Sequence, residues 1–233
     1  KAYAWLFANS SVAVFLFRAT RGSIVPNGLF GENSLQLNLV TDRYAGYNKL
    51  PAWRQYCYVH LLRDLKEEIE ADFPDDKEVA SFTRTLKPFL AEAIGLRSLA
   101  LELQDYLSEA SRIQAGIMEA VGREAKHPAI QSFQNIFREY AAKLFQWVKS
   151  PEIPADNNFA ERNLRPTVIA RKLSFGSQSD MGMRTRETLM SFLHTARLRG
   201  LNPETAVSNS GLSILAGQAT THGFTGRSAR FQT

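Results

Sequence analysis

The hydrophobic pattern of this chain changes period twice, which restricts it to a mixed α/β fold with a helical middle. Residues 1–60 read as sheet. Ala2 to Ala8 is an aromatic and apolar run, Asn9-Ser10-Ser11 is a turn, and Val12 to Phe17 is a second run, so the pair predicts a hairpin. Gly22, Pro26, Gly28 and Gly31 predict loops and short turns up to Asn33. Leu35 to Val40 alternates and closes on Thr41-Asp42, and Trp53 to Val59 is a further strand candidate running into a helix near His60.

From Asp75 the period becomes helical. Pro74 and Asp75-Asp76 mark a start. Leu86, Phe89, Leu90 and Ile94 follow helical spacing, and so do Leu99 to Leu107 within a longer helix that continues to Ile113 and Ile117. His127-Pro128 breaks the pattern. A third helix then carries Ile130, Phe133, Phe137, Leu144 and Trp147. These stripes predict the core of a helical bundle. After Pro151 the pattern is mixed again. Val168 to Lys172 is short and either extended or helical. Met183 to Leu198 is a helix with Gly200 as its C-cap. The Ser-, Thr- and Gly-rich end predicts a loose tail. The expected organisation is therefore a first part over 1–73, a helical insertion over 74–150, a returning part over 151–207 and a tail over 208–233.

Composition narrows the function classes. A chain of 233 residues with 44% hydrophobic and 22% charged residues is that of an ordinary globular protein able to bury a real core. Its longest apolar runs are far too short to span a bilayer, and no signal peptide is evident, so no membrane partner is expected. The single cysteine, Cys57, excludes an internal disulfide and fits a reducing compartment. A net charge of +5 and a pI of about 9.4 bias the chain toward polyanions. The chain opens on a strand-like run without Met, from which a missing N-terminal part is expected.

The chemistry-bearing residues are few. In Pro154-Ala155-Asp156-Asn157-Asn158-Phe159-Ala160-Glu161-Arg162-Asn163-Leu164-Arg165-Pro166, three polar residues suited to an N-cap precede one acid and two arginines. A short helix from Asn158 puts Asn158, Glu161, Arg162 and Arg165 on one side, and Pro166 is expected to end it. A carboxylate beside arginines and amides suits a metal ion acting on a phosphate; a capped surface helix with an ion pair is the alternative. Asp42 at the end of a strand holds a carboxylate on rigid backbone, or caps a helix starting near Tyr44. Cys57-x-x-His60 is half of a zinc pattern without a second cysteine, so His60 and Arg63 are assigned instead to contact with phosphate or a carboxylate. From Glu161 to Arg199 eight basic residues (Arg162, Arg165, Arg171, Lys172, Arg184, Arg186, Arg197 and Arg199) face only Glu161, Asp180 and Glu187. Such clustering suits phosphate neutralisation and DNA binding.

The order of these pieces resembles the insertion sequence 66 family of bacterial transposases. The matching stretches are Val40 to Tyr47, Cys57 to Arg63, Pro154 to Pro166, Arg171-Lys172 to Gly176, and Thr195 to Pro203. The resemblance implies an RNase H-like mixed sheet with a large helical insertion and an acidic DDE triad. It makes Asp42 the second catalytic acid and Glu161 the third, both binding Mg²⁺, with Mn²⁺ as a possible substitute. Such sites hold two ions roughly 3.5–4 Å apart. DNA contact falls to His60, Arg63, Asn158, Arg162, Arg165, Arg171 and Lys172. The resemblance further implies a cytoplasmic bacterial enzyme that cuts and joins DNA at element ends and targets, as a homo-oligomer. The family's first acid lies on a strand before Ala2, so this chain is expected to lack its first strand and to be inactive alone. A different RNase H-like nuclease and an inactive DNA-binding remnant remain as alternatives.

Overall fold

Asn9 turns the chain back on itself. In the computed structural model, which describes residues 2–174, 179–215 and 231–232, the Asn9 side chain accepts the Ser11 and Val12 N–H groups at 2.9 and 2.8 Å. This Asx turn joins β1 (Tyr3–Ala8) to β2 (Ala13–Arg18) as the expected antiparallel hairpin, in register from Tyr3 opposite Arg18 to Ala8 opposite Ala13. A two-residue strand, Phe231–Gln232, meets β1 at Ala8.

The chain divides into two compact units. The first contains Lys1–Leu37, Ala45–Pro51 and Phe159–Thr233. The region expected as loop here is a helix, α1 (Ile24–Phe30), followed by a 3-10 stretch at Gly31–Gln36. Burial of Val25, Pro26 and Phe30 outweighs the weak propensity of Gly28, and the Phe30 ring stands edge-on to Phe7 with centroids 5.1 Å apart. The later part of this unit supplies most of α6 (Asn158–Ser174), then α7 (Asp180–Leu198) and α8 (Pro203–Leu215). Pro166 does not end α6. It lies inside the helix, which continues through Val168 and Ile169 with one backbone hydrogen bond fewer. Gly200, at φ +70°, closes α7 as expected, with the Leu201 N–H on the Ala196 carbonyl at 2.9 Å. The segment expected to be loose from 208 is helical as far as Leu215; residues 216–230 and 233 lie outside the described residues.

Helix α7 is fastened along the outer edge of β2 by polar side chains. The Ala13, Phe15 and Phe17 N–H groups point away from β1 and donate to Thr195 Oγ1 (3.1 Å), Ser191 Oγ (2.9 Å) and Glu187 Oε1. At the far end Arg199 Nε donates to the Ser11 carbonyl at 3.0 Å. Four helical residues rise about 6 Å and two strand residues about 6.6 Å, so the two repeats stay in step over this length. The arrangement covers a sheet edge that would otherwise present unpaired backbone groups.

The second unit contains Asn38–Tyr44 and Ala52–Asn158. Its strands, β3 (Asn38–Thr41) and β4 (Trp53–Tyr56), are parallel and shorter than expected. Leu35 is 63% exposed in the 3-10 stretch and does not join β3. After Tyr56 the chain leaves β3, because the Tyr58 N–H bonds the Ala155 carbonyl and α2 (Tyr58–Arg63) begins. A π-helical segment follows at Asp64–Glu70, then α3 (Lys77–Leu96), α4 (Leu103–Gly122) and α5 (Pro128–Leu144). Asp76 caps α3 by accepting the Val79 N–H at 2.9 Å. Leu99 is not in a longer helix. The chain breaks at Ala100, with φ +48°, and both Leu99 and Leu103 are largely exposed. The rest of the predicted stripe is core: Leu86, Leu90, Ile113, Ile117, Phe133, Phe137 and Leu144 pack in one cluster with Val40, Tyr56, Tyr58 and Leu61. The helical segment expected as an insertion therefore shares its hydrophobic core with β3, β4 and α2. No described helix is long and apolar enough to cross a membrane.

Candidate functional site

Because β3 and β4 are parallel, their carboxyl ends lie at the same edge, and Asp42 follows β3 immediately. Its neighbour Thr41 is buried and donates Oγ1–H to the Asp42 carbonyl at 2.7 Å. The half-buried Asp42 carboxylate accepts the Tyr44 N–H at 3.0 Å, which orients it in a local turn before a 3-10 turn at Ala45–Tyr47 rather than capping an α-helix. Arg43, next in sequence, is ion-paired with Asp64.

Cys57 joins this edge to the motif that begins at Pro154. Its N–H donates to the Thr41 carbonyl at 2.8 Å, and its Sγ accepts the Asn157 N–H at 3.3 Å. With the Tyr58 to Ala155 bond at 2.8 Å, these contacts dock residues 155–157 against the junction of β4 and α2. Burial pushes the Cys57 thiol up to about 11, against the lowering effect of nearby backbone N–H groups. Buried, and with its sulfur accepting the Asn157 N–H, Cys57 acts here as a small apolar side chain and a hydrogen-bond acceptor. His60 is half-buried and Arg63 exposed, both in the last turn of α2.

Helix α6 begins at Asn158, as the residue pattern predicts, with the Asn158 N–H on Asp156 Oδ1 at 2.8 Å. Glu161 is in its first turn, half-buried, where the helix dipole favours a carboxylate. Arg162 and Arg165 are exposed along the same helix. Arg171 and Lys172 continue its backbone, but their side chains lie outside what the structure describes. Asp42 belongs to the second unit and Glu161 to the first. Among the described residues, no three His, Cys, Asp or Glu side chains gather closely enough to hold a metal ion.

The other arginines of the basic segment divide by role. Arg184 and Arg197 are exposed. Arg186 lies over the Phe17 ring at 5.5 Å, and Arg199 is engaged with Ser11. Sequence reasoning missed the polar fastening of α7, although its signal was present as Glu187, Ser191, Thr195 and Arg199 at four-residue spacing. It also missed the Cys57 to Asn157 contact, for which no local signal exists.

A family model described as "Transposase IS66 family" matches residues 1–185 of the chain. No curated protein and no solved structure matches it.

Proposed function

The chain belongs to the IS66 family of transposases, and from that premise we propose that Asp42 and Glu161 are two acids of a DDE-type site that cuts and joins DNA phosphodiesters at mobile-element ends. The observation that carries this reading is the family match over residues 1–185, which contains both acids, each held on a regular element: Asp42 directly after β3 and Glu161 in the first turn of α6. Both donors are carboxylates, as Mg²⁺ requires, and such an ion is commonly held by one or two carboxylates with waters and substrate phosphate. When bound, the ion supplies charge neutralisation and an activated oxygen for in-line attack on phosphorus.

The chain's own residues do the positioning. Asp42 is held on β3 and by the Tyr44 N–H, so its orientation costs no rearrangement at the moment of reaction. Glu161 is oriented by a helix whose start is defined by Asp156. Asn158, Arg162, Arg165, Arg171 and Lys172 are assigned to the phosphate backbone, with His60 and Arg63 supporting them from α2. An RNase H-like arrangement, Mn²⁺ as a substitute ion and assembly of several copies on paired ends belong to the same proposal.

Replacing Mg²⁺ with Fe²⁺ and adding ascorbate and peroxide generates hydroxyl radicals at the bound ion. Polypeptide cuts are expected next to both Asp42 and Glu161, and D42N or E161Q should abolish both. Cuts elsewhere, or cuts that survive either substitution, would overturn the assignment. DNA affinity should fall steeply with salt, and R162A with R165A should flatten that slope by about two unit charges. Strand transfer of a labelled element end distinguishes a transposase from a nuclease that only cleaves.

A further inference from the structure

The second unit carries an aromatic and cationic patch that the acid site does not use. Trp53, at the start of β4, is 58% exposed, whereas Trp5 and Trp147 are 7% and 1% exposed. An indole this open presents a free aromatic face to a ligand. Lys149 Nζ lies 5.2 Å from its ring centroid and also donates to Gln146 Oε1 at 3.0 Å. Farther along β4, the Tyr56 and Tyr140 rings pack edge to face with centroids 5.5 Å apart. Lys143 Nζ stands 5.5 Å from the first ring and 5.2 Å from the second. Tyr140 occupies a break in α5, with φ −115° and ψ 21°. Trp53 and Lys149 thus form an open pair of ring and cation, whereas Tyr56 is 5% exposed and, three residues along the strand, faces the other side of it.

We propose that Trp53, with Lys149 beside it, binds unpaired nucleotides of DNA by stacking a base on the indole while the lysine ammonium meets the backbone. An aromatic face accepts any base, and the neighbouring cation neutralises a phosphate. This combination distinguishes single-strand binding from the cation-only contacts that serve a duplex. A duplex keeps its bases paired and stacked and offers the indole no free face. The inference rests on the DNA reading above for the class of partner, but not on Asp42 or Glu161.

Trp53 also provides the measurement. With the other two indoles buried, acrylamide-accessible emission should come chiefly from Trp53. Titrating the chain with a short oligothymidine should quench that emission, and a duplex of equal length should not. W53F should abolish the quenching while weakening single-strand affinity only slightly, because a phenyl ring still stacks. W53A should weaken that affinity about tenfold and leave duplex affinity unchanged. Equal quenching by single strand and duplex would overturn the proposal. So would an emission change that follows protein concentration alone, which would assign the patch to a second copy of the chain. Duplex binding retained without single-strand quenching would refute this patch and leave the family reading intact. Loss of all DNA binding would refute both.

Discussion

Helices α3 and α7 are nearly equal in length, 20 and 19 residues, yet they attach to their units by opposite means. Six residues of α3 are buried, from Val79 to Leu96, whereas Ala196 is the only buried residue of α7. Helix α3 is held by apolar packing in the large cluster of the second unit. Helix α7 is held largely by side-chain oxygens that take the outward N–H groups of β2, supported by contacts of Met190 and Leu198 with the cluster of Leu6, Ala8, Ala13 and Phe15. Apolar burial is non-directional and tolerates small shifts, whereas the hydrogen-bonded seat specifies one register along the strand. Its cost is an exposed apolar remainder: Met181, Leu189 and Phe192 are all open to solvent.

The largest effect that would break this contrast is expected in the second unit. Phe137 is 1% exposed and packs between Phe133 and Phe145, so F137A should cost about 3–5 kcal/mol in urea unfolding. A loss below about 1 kcal/mol would mean that this core can collapse around the gap. An intermediate effect belongs to the α7 fastening. S191A removes the acceptor of the Phe15 N–H and T195V that of the Ala13 N–H. Each should cost about 1–2 kcal/mol and speed amide exchange at that strand residue. Unchanged exchange would show that packing alone seats the helix. The smallest effect sharpens the comparison through pH. His194 lies 4.8 Å from the Phe15 ring, and burial, with Arg197 nearby, holds its pKa below the ordinary value of 6.5. The fold thus favours neutral imidazole. The stability contributed by this neutral group is complete above about pH 6.5 and is lost as pH falls through the depressed value. H194F should remove that part of the acid sensitivity, as read from unfolding curves between about pH 5 and 7. An identical pH profile in both proteins would assign the acid sensitivity elsewhere.

Much of this architecture was readable wherever a residue acts on its own neighbours. Asn9 capping its turn, Asp76 starting α3, Asp156 starting α6 and Gly200 ending α7 are all local hydrogen-bond or backbone effects. The apolar stripes of α3 and α5 marked their buried faces because burial repeats with the helical period. Reading failed where tertiary packing outweighed local preference. Pro166 suggested a stop inside what is a continuous helix, Leu99 extended a stripe that the chain abandons at Ala100, and Leu35 was joined to a strand that begins at Asn38. For the candidate site, the motif from Asp156 to Arg165 and the strand ending in Asp42 were visible as residue patterns. Their link through Cys57 was not, since nothing in Cys57-Tyr58-Val59-His60 identifies Asn157 as the donor to its sulfur.

The amino-acid order alone therefore determined the alternation of sheet and helix, most element starts and the family to which the chain belongs. Only the tertiary structure decided which edges and ends meet: Ala13 with Thr195 across 182 positions, and Cys57 with Asn157 across 100. Local periodicity reports which face of an element is buried, but not against what. That choice is made when the whole chain closes over its unpaired backbone groups.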